Sequence, residues 1–419
     1  MPRNPFAPYA RVLRTPGAVP FVTAAFFGRF PRATFTLSSI LLVSAVSGSF
    51  AVAGTVSAVL VLAMAVGGPL WSRAMDRSGQ RRTLALSIGA FTVGGLAFVL
   101  VVTSGAPAFT WYVLAGITGL SAPDLGSATR ARWSHLLTDS ADRTTAFSLE
   151  SVADEAVFVV GPPFMTILAS AIDPAVGVIA ALVLGVAGGL ALLLQTRTQP
   201  PVVPRAERVP VSRRPPLIVL PIVLVCVGIG TIFGSFDVTA VGFATDNGDS
   251  ALAGFVIAAI GLGTAVAAGL FGMRRWRAPL RVRLMVSSVV LAAVTPVLLL
   301  ATTPAMVLLA GFVVGLAISP VLISAMTLAQ AKAEPGRVTE TLAYPSVGLS
   351  IGVTIGATFA GSLLDTHGPA AAYLLTIGGA AAAGLLAIGA NLGYRALELR
   401  SGTQAAPPRT PHSALSSDA

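Results

Sequence analysis

The chain has 419 residues, of which 54% are hydrophobic and only 11% charged, and its mean hydropathy is +0.83. Soluble domains carry about 25% charged residues, so this composition excludes an ordinary water-soluble protein and points to a bilayer. The net charge of +10 would suit a nucleic-acid partner, but the placement of the basic residues removes that reading.

Residues 1–17 are polar, with Arg3, Arg11 and Arg14 and no small-residue cleavage site. They read as a cytoplasmic N-terminus without a cleaved signal peptide. Apolar runs follow at 18–45, 49–71, 83–104, 108–131, 145–170 and 174–195. Each is long enough to cross hydrocarbon as a helix of about 20 residues. A Pro- and Arg-rich segment, 197–215, reads as a flexible linker. Six more runs follow at 217–244, 250–272, 282–302, 305–330, 339–364 and 369–393. The tail, 395–419, holds Pro407, Pro408 and Pro411 among Ser and Ala and is expected to be disordered. Twelve spans are therefore predicted, in two sets of six (18–196 and 216–394) joined by one linker.

Apart from Arg29 and Arg32 in the first run, and Arg130 and Arg283 at the loop-side ends of theirs, the Lys and Arg residues fall in the N-terminus, the even-numbered loops and the tail. The odd-numbered loops offer Asp173, Asp246, Asp249, Asp365 and His367 instead. By the positive-inside rule both termini are cytoplasmic, and the basic excess is a topology signal in a cell-membrane protein. The single Cys226 excludes a disulfide framework. His135, His367 and His412 form no cluster, so no metal is expected. No Gly-x-x-x-x-Gly-Lys-Ser/Thr run is present, which argues against an ATP engine. An enzyme is not expected, because no span contains His and Cys226 has no basic partner in its own span. A membrane sensor would need a sizeable polar domain, and the longest polar segment is about 20 residues, one span's length.

The loop between the second and third spans reads Ser72-Arg-Ala-Met-Asp76-Arg77-Ser-Gly79-Gln80-Arg81-Arg82. Its charges pin it to a water-facing surface, and Gly79 lets the backbone turn through positive φ. This pattern resembles the loop 2–3 signature of the major facilitator superfamily, Gly-x-x-x-Asp-Arg-x-Gly-Arg-Arg, with Ser72 for the first Gly and Gln80 for an Arg. The resemblance implies an all-α integral membrane fold of twelve helices in two six-helix bundles, transporting a small molecule by alternating access. It also implies that Asp76 lies near the start of span 11 when the cytoplasmic side is closed. Val160-Gly161-Pro162-Pro163 resembles the Gly-Pro core of a fifth-span motif in antiporters of that superfamily, though the flanking glycines are missing. The Gly-Pro-Pro run is expected to bend its helix. Loop 8–9, with Arg274, Arg275, Arg277 and Arg281, echoes loop 2–3 in position and charge but lacks its Asp and central Gly.

Charged residues inside spans cost about 2.5–3.5 kcal/mol each on insertion scales and are usually functional. Arg29 and Arg32 in Gly28-Arg29-Phe30-Pro31-Arg32 are spaced i, i+3, which predicts one shared helix side, with a kink at Pro31. They are read as a site for an anionic substrate group or as partners of carboxylates. The acids nearest to hand are Glu150, Asp154 and Glu155 in the fifth span. Glu150 and Asp154 share a face, and Glu155 is rotated from them by about 100°. Glu150 is the shallowest and reads as a cap of the cytoplasmic end. Asp154 and Glu155 are the proton-coupling candidates, and a permanent ion pair to Arg29 or Arg32 is the structural alternative.

Asp124, beside Pro123, is expected to face the pathway or to pair with Arg130 or Arg132. Asp237, the acid well inside a span of the second half, is a substrate or proton candidate or a rim residue. Gly348, Gly352 and Gly356 predict a close-packing seam, and Glu340 favours the start of its span. The function expected is proton-coupled efflux of a small amphipathic compound. Uptake of a nutrient or organic anion is the alternative. The proton is the expected coupling ion, no other cofactor is implied, and the transporter is expected to be a monomer.

Overall fold

The computed structural model describes residues 7–202, 217–273, 276–332 and 338–400. The linker residues Pro204, Arg205, Arg208, Arg213 and Arg214, the loop arginines Arg274 and Arg275, and the tail 401–419 lie outside them, as does the Glu340 side chain. Among the described residues the secondary structure is helical throughout. A short helix α1 (Ala7–Leu13) leads into α2 (Ala18–Gly28), α3 (Phe30–Ser47), α4 (Phe50–Ser78) and α5 (Gln80–Thr103). Then come α6 (Ala108–Ser121), α7 (Leu125–Leu136), α8 (Ser140–Ala171) and α9 (Pro174–Leu194). After the linker follow α10 (Leu220–Asp246), α11 (Leu252–Met273), α12 (Leu280–Val294), α13 (Pro304–Ala331), α14 (Val338–His367) and α15 (Pro369–Arg400). The last helix thus runs past 394, where the tail was expected to begin.

Among the described residues, eleven helical stretches, counting α2 and α3 as one, are long and apolar enough to cross a membrane. The expected fourth span is instead split between α6 and α7. Ala122 precedes Pro123 and takes φ −56° and ψ 124°; the proline ring excludes the helical region for the residue before it. The first span also breaks, at Arg29, where Pro31 lacks the N–H that would have continued the helical ladder. By contrast, α8 continues as one helix through Pro162 and Pro163.

The apolar surface fits a hydrocarbon solvent: Leu194 is 75% exposed and Leu385 71%. Helices α2–α9 pack among themselves, as do α10–α15, and the two groups meet where α4 faces α14, α8 faces α11 and α3 faces α10. Within the second group, α10 and α14 approach backbone to backbone. A Cβ on Gly348 would lie 2.6 Å from the Val223 carbonyl oxygen, and those on Gly352 and Gly356 would strike the Val227 and Thr231 carbonyls. The glycine triplet is therefore the packing seam that its spacing predicts. Gly352→Leu is expected to destabilise the protein by about 1–3 kcal/mol through overpacking. Gly389→Leu, where a Cβ meets nothing within 4 Å, serves as the control. Thermal melts of both variants in detergent read the difference, and equal melting temperatures would refute the seam's importance.

The two groups approach closely at one end. Gly54 packs on the Ala357 carbonyl and Gly361 on that of Phe50, and the Thr354 hydroxyl donates to the Ala58 carbonyl at 3.4 Å. On the other seam, Gly254 packs on the Pro162 carbonyl, Gly261 on Phe158 and Val159, and Thr166 donates to the Ala251 carbonyl at 3.2 Å. This is the end that carries Asp173, Asp246, Asp249 and Asp365, here called the acidic face. Toward the opposite, basic face the seams are open among the described residues. A Cβ at Gly68, fourteen positions (nearly four turns) beyond Gly54, or at Gly269 of α11 would meet nothing within 4 Å.

Candidate functional site

The breaks in the first and fourth spans bring one charged cluster together. The Arg29 guanidinium, 5% exposed, donates to Thr129 Oγ1 at 2.7 Å and to Glu150 Oε2, and its Nε lies 3.3 Å from Asp154 Oδ1. Glu150 is fully buried. Its other oxygen accepts from Trp133 Nε1 at 2.7 Å, and the Thr129 hydroxyl reaches Oε2 at 3.0 Å. Trp133 is fixed in turn by the edge of Phe21, with ring centroids 4.7 Å apart. Asp154, partly exposed, also accepts from Arg130 at 2.8 Å. Arg29, Glu150 and Asp154 therefore form an interhelical network, as the i, i+4 spacing of the two acids predicts.

Glu150 is not merely the helix-end cap expected of it. Three donors and complete burial make it the anchor of the network and shut it off from water. Nor do Arg29 and Arg32 share a side. The break at Arg29 turns its side chain into the bundle and leaves Arg32 exposed, its side chain with no hydrogen bond or ion pair among the described residues. Asp124 pairs with neither Arg130 nor Arg132. It caps α7, accepting from Ser127 N at 3.1 Å, and it accepts from Ser72 Oγ at 3.0 Å.

Glu155 points elsewhere. It stands three, four and seven residues before Phe158, Val159 and Pro162, so it continues the α8 face that packs on α11. It lies one turn beyond the last close contact, where the seam opens toward the basic face, and it makes no hydrogen bond or ion pair among the described residues. Asp237 is partly buried on α10, one turn before Val241 of the core shared with α3 and α4, and is likewise without a hydrogen bond or ion pair among the described residues. Gly161 brings α8 onto α3, where a Cβ would lie 2.6 Å from Thr34 Cγ2.

The major facilitator superfamily model matches residues 21–280, more than half of the chain. This chain belongs to that superfamily. Its structure resembles that of a point mutant of the nucleoside transporter NupG, with a TM-score of 0.67, 14% identity, and coverage of 89% of this chain and 98% of the other. It is also similar to the POT family transporter PepTSo (TM-score 0.70, 12% identity, 92% and 99% covered). A third similar structure is the human organic anion transporter MFSD10 (TETRAN; 0.62, 15%, 88% and 99%). These identities establish a shared fold. No curated protein matches the sequence.

As a superfamily member the chain explains its own departures from the loop 2–3 signature. Gly79 takes φ 83°, as the turn requires. Ser72, in place of the first glycine, supplies the hydroxyl that holds Asp124. Gln80, in place of an arginine, is buried. It donates to the Ala128 carbonyl at 3.0 Å and accepts from Arg132 Nε at 2.9 Å. A second guanidinium there would face that of Arg132. Arg132 itself is fully buried and bonds the Leu192 and Gln195 carbonyls and Thr198, so it caps the C-terminal end of α9 and ties down the start of the linker. Asp76, Arg77, Arg81 and Arg82 are exposed at the basic face.

The sequence reading passed over Thr129 and Trp133, and it gave Arg132 only as a candidate partner of Asp124 and Asp365 only as a loop acid. Thr129, Arg132 and Trp133 share α7, and the break at Pro123, which sets that helix's register, was their available signal.

Proposed function

We propose that this superfamily member is a twelve-span, proton-coupled secondary transporter with its basic face in the cytoplasm, working by alternating access between two six-helix bundles. The observation that carries the reading is the one-ended seam: close contact at the acidic face, open faces of α4 and α11 toward the basic face. With the basic face cytoplasmic, this is an inward-open state. Supporting it, Glu155 sits where the seam opens, and Asp154 lies between two arginines at the edge of the buried network.

The proposed direction is export of a small amphipathic compound in exchange for protons, supported by the Gly-Pro run in α8 and the apolar spans. The exposed Arg32, whose side chain has no hydrogen bond or ion pair among the described residues, favours an organic anion as the second reading, in either direction. The test is reconstitution into liposomes loaded with a pH dye, screened against compounds of both classes. Export by antiport requires protons to move opposite to the compound. Movement in the same direction identifies a symporter, and substrate movement with no proton signal overturns the coupling.

A further inference from the structure

We propose that Asp365 is a latch that holds the acidic face closed, by capping a helix of the other group. Asp365 lies in the last turn of α14, where the helix's own C-terminal carbonyls disfavour an anion. Its carboxylate crosses to the first turn of α4, whose N–H groups have no partner within their own helix. Oδ1 accepts from Phe50 N at 2.8 Å; Oδ2 accepts from Ala51 N at 2.9 Å and from Ser49 Oγ at 2.7 Å. Ser49 meanwhile accepts from Val52 N at 3.3 Å, so the two side chains cap the first turn together. Asp173 and Asp249 at the same face instead cap the helices that follow them in sequence, at Ala175 N and Ala251 N.

The arrangement favours one state in two ways. While the face is closed, the carboxylate gains α4's N-terminus as a partner. When the face opens, that partner is lost, and the anion is left at the unfavourable end of its own helix. The contact sits beside the Gly361–Phe50 and Gly54–Ala357 approaches, so separating α4 from α14 breaks it directly. The latch rests on the alternating-access reading only in requiring that the two faces open in turn.

The test uses spin-label distances in the full chain in nanodiscs, with Cys226→Ala as background. One pair, Ser104→Cys and Asn247→Cys, spans the acidic face at exposed positions; a second, Ser78→Cys and Arg277→Cys, spans the basic face. Asp365→Ala is expected to raise the ratio of long to short distances at the acidic face on the order of fivefold, the range of a lost helix cap. The basic-face pair is expected to shorten with it. Asp365→Asn, which keeps the shape and loses the charge, should shift the same way, and Ser49→Ala less. Unchanged acidic-face distances in folded Asp365→Ala overturn the latch, as does lengthening there without shortening at the basic face. A parent protein in which neither pair varies with pH, or with any compound that the liposome screen shows to be transported, would instead overturn the alternating-access reading itself.

Discussion

Glu150→Gln is expected to leave little folded protein, because it strips the main counter-charge from an arginine that is 5% exposed. Breaking a buried ion pair by removing one partner costs about 3–5 kcal/mol, since the remaining charge stays desolvated. Here Asp154, 3.3 Å from Arg29 Nε, offers partial compensation and places the expected loss near the lower bound. The glutamine amide must also accept from Trp133 or Thr129 with one oxygen where the carboxylate had two. Arg29→Met should be comparably damaging, because Glu150 then keeps only neutral donors. The double variant Arg29→Met, Glu150→Gln removes both charges, so its loss should be clearly less than the sum of the single losses. Size-exclusion profiles and melting temperatures in detergent read this cycle. Single variants as stable as the parent, or strict additivity in the double, would sink the claim that the pair anchors the bundle.

The same pair marks how far the sequence could be read. Helical class, loop charge and the turn at Gly79 follow from composition and local backbone chemistry, and all are legible residue by residue. That Arg29 would meet the acids of the fifth span was legible too, since few charges lie inside spans. How it divides between Glu150 and Asp154 was not. Glu150 and Asp154 share a face, and the division depends on how α2, α7 and α8 register against one another, which the breaks at Arg29 and Pro123 set. Reading the first span as unbroken placed Arg32 beside Arg29, and reading Glu150 as a helix-end cap missed the donors that α7 brings to it. Asp365 was invisible for a related reason. Its partners are backbone amides and a hydroxyl 314 to 316 positions away, and every helix start has such amides, so no side-chain pattern announces them. Gln80 was legible only as a departure; its meaning appears once Arg132 is seen beside it.

Glu155→Gln is expected to uncouple transport from protons while leaving the protein folded. Glu155 takes no part in the Arg29 network, so its replacement removes no buried pair. Its position on the α8 seam gives the charge a specific consequence. Closing the basic face continues the α8–α11 contact by one turn and brings Glu155 against α11, which carries no charged residue between Leu252 and Met273. The polar side chain on that stretch, Thr264, already donates to the Gly261 carbonyl at 2.7 Å. Asp154, the neighbouring acid, adds repulsion and no relief. An ionised carboxylate buried there costs about 2.5–3.5 kcal/mol on insertion scales, so the closed basic face holds Glu155 protonated, and each reopening of that face releases a proton to the cytoplasmic side. Glutamine has nothing to protonate and closes at any pH. Substrate-driven proton flux in liposomes should therefore fall more than about tenfold, while substrate exchange continues and loses its pH dependence. Asp154→Asn should retain proton flux, since it leaves Glu155 on the seam and alters only the pairing of Arg29 and Arg130. If Glu155→Gln keeps full flux and Asp154→Asn abolishes it, the proton travels through the arginine network instead of the seam.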